Sequence, residues 1–253
     1  MSDVDRNYAA RPGVGAQRAA VIDAGLRAYM IRVYNYMAAG VALTGVVAWL
    51  TYNAAVVTDA AGHITGLTPF GQTIFSGPLV IVLFLGTLGL VFFMSFRIGH
   101  LQPSTALALF MVYAGLLGLM LSSVFLAYTQ ASITRTFFIS AASFGALSLY
   151  GYTTQRDLSP VGSFLVMGLF GLILAMVVNI FLKSPGLEFA ISAIGVLIFA
   201  GLTAWDTQKI KEMYDVGDDG TVIGRKAVMG ALTLYLDFIN LFLFLLRLMG
   251  DRR

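Results

Sequence analysis

Seven apolar stretches, at roughly 34–52, 74–96, 104–127, 136–153, 161–182, 187–207 and 227–249, set the terms for this chain. Each is close to the ~20 residues that a helix needs to cross ~30 Å of hydrocarbon. Inside hydrocarbon a backbone must satisfy its own N–H and C=O groups, and a helix does so within one segment. The pattern predicts an all-α membrane protein with seven transmembrane helices. Composition agrees: 11% of residues are charged, against about 25% in a soluble domain.

Punctuation supports these boundaries. Pro12, Pro69, Pro103, Pro160 and Pro185 fall in connections. Pro78 lies in the first turns of the second stretch, where a missing N–H matters least. Residues 1–33 are polar and mixed in charge, without the short apolar core and cleavage site of a secretory signal. Asp3, Asp5, Asp23 and a single serine speak against a mitochondrial presequence. The expected division is a partly disordered N-terminal tail over 1–33 and a seven-helix domain over 34–253. Within the tail, an amphipathic surface helix is expected from about Arg18 to Arg32. The sixth helix is expected to continue to Met213, ahead of a glycine-bearing loop over about 214–226. No internal repeat is visible, which disfavours an inverted-repeat transporter.

Basic residues set orientation. With a cytoplasmic N-terminus, the inner segments hold Arg6, Arg11, Arg18, Arg27, Arg32, Arg97, Arg156, Lys209, Lys211, Arg225 and Lys226, while the outer loops hold only Arg135 and Lys183. Arg247, Arg252 and Arg253 follow the last stretch and fall outside, against the rule. A buried or re-entrant seventh segment would remove the conflict. Gly115, Gly118, Ala141, Gly145, Gly168, Gly171, Gly195 and Gly201 lie within the stretches. They are read as close helix contacts, or alternatively as hinges along a permeation path.

Several functions are excluded or disfavoured. Without cysteine there is no disulfide or thiolate chemistry. No basic stripe suits nucleic acid. His63 and His100 are isolated. No nucleophile–base pair, Walker loop or GxGxxG motif appears, so no enzyme is expected. Asp215, Asp218 and Asp219 lack EF-hand spacing and read as a solvated loop. Trp49 and Trp205 fit interfacial belts or core packing.

Two carboxylates remain. Asp206 and Asp237 lie in otherwise apolar runs, where insertion of a charge costs roughly 2.5–3.5 kcal/mol. Asp206 is eight residues before the expected loop and Asp237 eleven after it. At about 1.5 Å per residue, an antiparallel hairpin brings them to similar depth. Two such carboxylates cannot both ionise cheaply, so the pair is expected to titrate as a unit, sharing a proton or trapping a cation. Ionised, it would offer oxygen ligands suited to Ca²⁺. Asn240, one turn after Asp237, and Asn179, in the fifth stretch, are supporting polar groups. Arg97 is the candidate counter-ion or latch, and Arg247 a headgroup anchor. The alternative is a purely structural pair.

At Trp205-Asp206-Thr207-Gln208-Lys209-Ile210 and Leu234-Tyr235-Leu236-Asp237-Phe238-Ile239-Asn240-Leu241-Phe242 the chain resembles the Bax inhibitor-1 family, on its bacterial side. Asn179-Ile180-Phe181 and Asp157-Leu158-Ser159 support the likeness, which covers roughly residues 30–250. The resemblance implies a seven-helix fold whose last helix is central. It also implies a pH-dependent calcium leak, with Asp206 and Asp237 as sensor and Arg97 nearest to the family's latching arginine. The chain departs from the family in three places, one of them a longer segment between the two aspartates. Extra residues around Ile98–Pro103 shift the register of Arg97, and 74–96 lacks the acidic residue that a family member carries there.

The leading expectation is a pH-sensitive calcium (cation) leak of a bacterial inner membrane, working on Ca²⁺ and protons without a cofactor. The rival is a non-transporting regulator that binds a membrane protease or other membrane protein through its N-terminal residues. A proton-coupled solute carrier is disfavoured, since no substrate-sized polar cluster is visible.

Overall fold

Helix start signals in the sequence are read locally by the chain. Pro69, Pro103, Pro160 and Pro185 each stand in the first turn of a helix, where the missing N–H has no intrahelical partner to lose. Thr68, Thr129, Ser184 and Asp219 cap helices by accepting from backbone N–H groups two or three residues on. The structure, a computed structural model, describes residues 14–59 and 64–253. Seven long helices result: α1 (Val14–Ala55), α2 (Leu79–Arg97), α3 (Pro103–Leu121), α4 (Gln130–Thr153), α5 (Ser159–Leu182), α6 (Pro185–Glu212) and α7 (Gly220–Met249).

All of these except α4 are long and apolar enough to cross a membrane, six in total. The chain is a multi-pass membrane protein, and the expected count of seven is met by six on this measure. The reason is visible in α4. Ser132, Thr136, Ser140 and Ser148 recur at four-residue spacing or its double and are all buried. They form one polar stripe turned toward α6 and α7. Polar residues that face protein lower the apolarity of the segment without facing lipid.

Other expectations are corrected. The surface helix and the first span are one continuous helix, α1, which runs through the expected junction at residue 33. At 42 residues it is about 63 Å long, twice the hydrocarbon thickness. Residues 1–13 of the expected tail lie outside the described residues. The fold is not purely helical. Val56–Thr58 pairs antiparallel with Ile64–Leu67, and a short helix, Pro69–Ser76, follows. The second stretch breaks at Gly77, and Pro78 caps α2 instead of lying within it. The loop between α6 and α7 is Met213–Asp219, shorter than expected, because Asp219 Oδ1 accepts from Thr221 and Val222 N–H at 2.8 Å each and draws residues 220–226 into α7.

Helix α7 is the axis of the bundle. Of its most apolar stretch, 72% is buried, against 44% for α6 and 6% for α5. It packs against α6, α1, α4 and α3. Tyr235 marks its centre: the ring meets Phe110 and Tyr113 edge-on, and the hydroxyl lies 2.6 Å from Thr44 Oγ1. Gly118, Gly195 and Gly201 do permit close contacts, whereas Gly115, Gly145 and Gly171 have no heavy atom within 4 Å of a Cβ position. One close approach of helix backbones was not anticipated: a Cβ on Gly151 of α4 would stand 2.1 Å from the Ala204 carbonyl oxygen of α6.

Beyond α7 the last residues strap one end of the bundle. Thr129 N–H donates to Asp251 O (3.1 Å) and Arg253 N–H to Ala127 O (3.0 Å). Arg252 pairs with Glu188 at the start of α6, Arg135 pairs with Asp251, and Arg253 donates to Tyr52 OH. The seventh segment is thus a full helix, not a re-entrant one, and Arg252 is matched by an acidic partner.

Candidate functional site

The segment Trp205–Ile210 works as a hub in which successive side chains reach different neighbours. The Trp205 ring covers Gly162 of α5, where a Cβ would lie 2.1 Å away. Thr207 Oγ1 meets Ser148 Oγ of α4 at 2.9 Å, and Ser148 continues to Tyr34 OH of α1 at 2.6 Å. Gln208 clamps the α4–α5 connection, accepting from Leu158 N–H and donating to Arg156 O, both at 2.8 Å. Ile210 packs on Gly230 of α7. The roles of Thr207, Gln208, Tyr34 and Ser148 were not read from the sequence. The signal available was a glutamine and a threonine inside an apolar run.

Asp206 takes the remaining direction, toward α7. The two helices run antiparallel with Phe199 stacked on Phe244 at 5.7 Å and Ile210 against Gly230. Between these contacts the Asp206 and Asp237 carboxyls come close enough to interact, and both stand on the wall of one cavity. Asp206 is 9% exposed and Asp237 5%. Asp237 Oδ2 is buried and has no hydrogen-bond partner among the described residues. A hydrogen bond between two carboxyls needs a proton on one of them. Two carboxyls this close can share one proton and titrate as a unit.

The pair opens onto a cavity of about 540 Å³ between α5, α6 and α7. Its walls are Val166, Leu169 and Phe244 among other apolar groups, and its polar groups include Asn240 and Arg247. Asn240 is fixed by donating to Leu236 O at 2.8 Å. The Arg247 guanidinium lies over the Phe244 ring, 5.5 Å from its centroid.

Two expected participants, Arg97 and Asn179, are elsewhere. Arg97 ends α2, is exposed, and joins no ion pair or hydrogen bond with a described residue. The cation whose charge reaches Asp206 is Lys209, one turn further along α6, which also stands over the Trp205 ring at 5.0 Å. Arg97 drops out because α2 packs chiefly on α3. Asn179 is half-buried and structural: its Oδ1 accepts from Ser184 N–H (3.0 Å) and its carbonyl from Lys183 N–H (2.8 Å). It thereby holds Lys183 in the left-handed region at φ 47°. It lines a separate cavity of about 290 Å³ with Glu188 and Ser192. The acidic loop is used for structure. Asp218 pairs with Lys226, Asp215 accepts from Gly217 N–H, and Asp219 caps α7. His100 lies in an exposed turn after α2, and His63 lies outside the described residues.

As a metal centre the site is incomplete. Among the described residues no group of three or more His, Cys, Asp or Glu converges, whereas Ca²⁺ takes six to eight oxygens. The two carboxyls and Asn240 line the same cavity and are oxygen donors it offers a cation.

Comparison with known proteins places this geometry in context. A family model described as inhibitor of apoptosis-promoting Bax1 matches residues 26–253. An uncharacterised protein of Rickettsia prowazekii is 52% identical over 231 residues, covering 91% of this chain and 92% of its own length. A Caulobacter vibrioides protein is 44% identical over 260 residues, covering both chains fully. The inner membrane protein YbhL of Escherichia coli is 47% identical over 232 residues, covering 91% of this chain and 94% of its own.

Proposed function

The chain belongs to the Bax inhibitor-1 family, and from that premise we propose that it is a pH-regulated cation leak in a bacterial inner membrane, with Ca²⁺ as cargo. The observation that carries this reading is the buried, closely placed Asp206–Asp237 pair at the wall of a cavity between α5, α6 and α7. On this reading one shared proton joins α6 to α7 at mid-bundle. Removing it leaves two carboxylates in contact, and adding another leaves two neutral acids without a charge for a cation to meet. Either change alters both the helix contact and the cavity's affinity for cations, so proton concentration and flux are linked.

On this reading α4 is also a span, its polar stripe lying inside the protein. The N-terminus is cytoplasmic, placing Arg27, Arg32, Arg97, Arg156, Lys209, Lys211, Arg225 and Lys226 on the inner side. The protein performs no covalent chemistry.

The test is calcium uptake into proteoliposomes at a series of pH values. Wild type is expected to give pH-dependent flux, and Asp206→Asn and Asp237→Asn to flatten that dependence. Flux with the same pH profile in both variants removes the pair from the mechanism. Absence of flux above empty liposomes at every pH turns the reading to a non-transporting partner protein.

A further inference from the structure

Helices α1 and α4 both pack on α7 but not closely on each other. Between them runs a crevice of about 750 Å³, lined by Arg27, Ile31 and Tyr34 of α1 and by Phe144, Leu149 and Tyr152 of α4. Gly145 belongs to the same wall, and a Cβ there would meet nothing within 4 Å. This glycine does not bring helices together; its missing side chain is part of the open volume. The Tyr34–Ser148 hydrogen bond crosses the crevice. Phe144 is buried on its α7 side against Phe238, 5.6 Å between centroids.

The position of the crevice in a membrane bundle decides what can fill it. An empty volume of this size forfeits dispersion contacts along its walls. The walls are mostly apolar and the Tyr34 and Ser148 hydroxyls already bond to each other, so water finds few partners there. The molecule at hand is a lipid, whose flexible acyl chain adapts to an irregular apolar slot. The rim then selects the headgroup. Arg27 is exposed and has no hydrogen bond or ion pair with a described residue, including Asp23 one turn before it. At the same end of the bundle, Lys211 Nζ is held by Tyr152 O at 2.9 Å and lies over the Tyr152 ring. No Asp or Glu lines the crevice. A free guanidinium above an apolar slot, with no carboxylate to answer it, matches a phosphodiester whose net charge is negative.

We propose that the crevice between α1 and α4 binds one anionic phospholipid, with an acyl chain along Ile31, Phe144 and Leu149 and the phosphate on Arg27. The site is separate from the Asp206–Asp237 cavity and requires only that the protein lies in a bilayer.

The experiment is native mass spectrometry of the full-length protein in detergent, titrated with phosphatidylglycerol or phosphatidylcholine carrying identical chains. Wild type is expected to retain one phosphatidylglycerol with a preference of about fivefold over phosphatidylcholine, the effect of one surface guanidinium on an anionic lipid. Arg27→Gln, an exposed position, is expected to abolish that preference while leaving phosphatidylcholine retention unchanged. Gly145→Leu fills the slot from an open position and is expected to reduce retention of both lipids. Gly171→Leu on α5, also with nothing within 4 Å, is the control and is expected to behave as wild type. Equal retention of the two lipids by wild type, or phosphatidylglycerol retention untouched by both Arg27→Gln and Gly145→Leu, overturns the proposal.

Discussion

Helices α5 and α7 are both long and apolar enough to span a bilayer, yet 6% of the most apolar stretch of α5 is buried and 72% of that of α7. The exposed one is the more uniformly apolar. It turns Phe164, Phe170 and Phe181 outward, while α7 keeps Asp237, Tyr235 and Gly230 inside. In water the reverse would hold. Lipid tails are as apolar as leucine, so nothing drives apolar side chains out of lipid and into protein. What gathers at the centre are groups that lipid cannot serve: hydroxyls, carboxyls, and small residues that permit close packing.

That contrast can be broken by paired substitutions, read as unfolding in mixed detergent micelles. The largest effect is expected from Phe238→Ala in α7, whose ring meets Phe137 and Phe144 edge-on at 5.7 and 5.6 Å. The cavity should cost about 3 kcal/mol, while Phe170→Ala on the lipid face of α5 should stay within about 0.5 kcal/mol. Similar losses at both positions would mean that α5 is covered by protein. Next, Gly151→Ala forces a methyl onto a backbone carbonyl and should destabilise by about 2 kcal/mol. Gly171→Ala, in the open, should stabilise by up to about 1 kcal/mol through helix propensity. A shared sign would remove the distinction between packing glycines and lipid-facing ones. Tyr235→Phe deletes the hydroxyl that meets Thr44 and should cost about 0.6–1 kcal/mol, the usual worth of one hydrogen bond between spans.

The smallest effect lies outside the bilayer. Asp157 Oδ1 accepts from Ser159 N–H at 2.8 Å, which holds its carboxyl below the usual carboxylate range. A lowered folded-state value means that this stabilisation is present above the unfolded value and is lost as pH falls through the folded one. Asp157→Ala should therefore lower the thermal midpoint slightly at neutral pH and leave it unchanged in acid below the carboxylate range. An equal shift at both pH values would assign the effect to something other than the charge.

Much of this was legible in the sequence because hydropathy and helix punctuation act locally. Prolines marked the connections between helices, and the similar depth of Asp206 and Asp237 followed from rise per residue. What was not legible depends on facing. The sequence placed α1 in two pieces because polar residues up to Arg32 look foreign to a span, yet Tyr29, Met30 and Val33 are buried against the bundle. Glycines at 115, 145 and 171 look the same on paper as those at 118, 195 and 201, and only the neighbouring helices separate them. Arg97 was assigned to the pair by its charge at the end of the second stretch and by the family resemblance, whereas α2 stands at the edge of the bundle. The hydrogen-bond thread Tyr34–Ser148–Thr207 joins three helices distant in sequence, and no local pattern announces it.

The central position of α7 also has a consequence in time. Of the seven helices it is synthesised after all the others, so those that will surround it enter the bilayer before their axis exists. During that interval Asp206 lacks Asp237, Thr44 lacks the Tyr235 hydroxyl, and the polar stripe of α4 lacks its α7 neighbour. Maturation of this protein is therefore a closing step, in which one late helix converts a ring of temporarily mismatched polar faces into a finished interior.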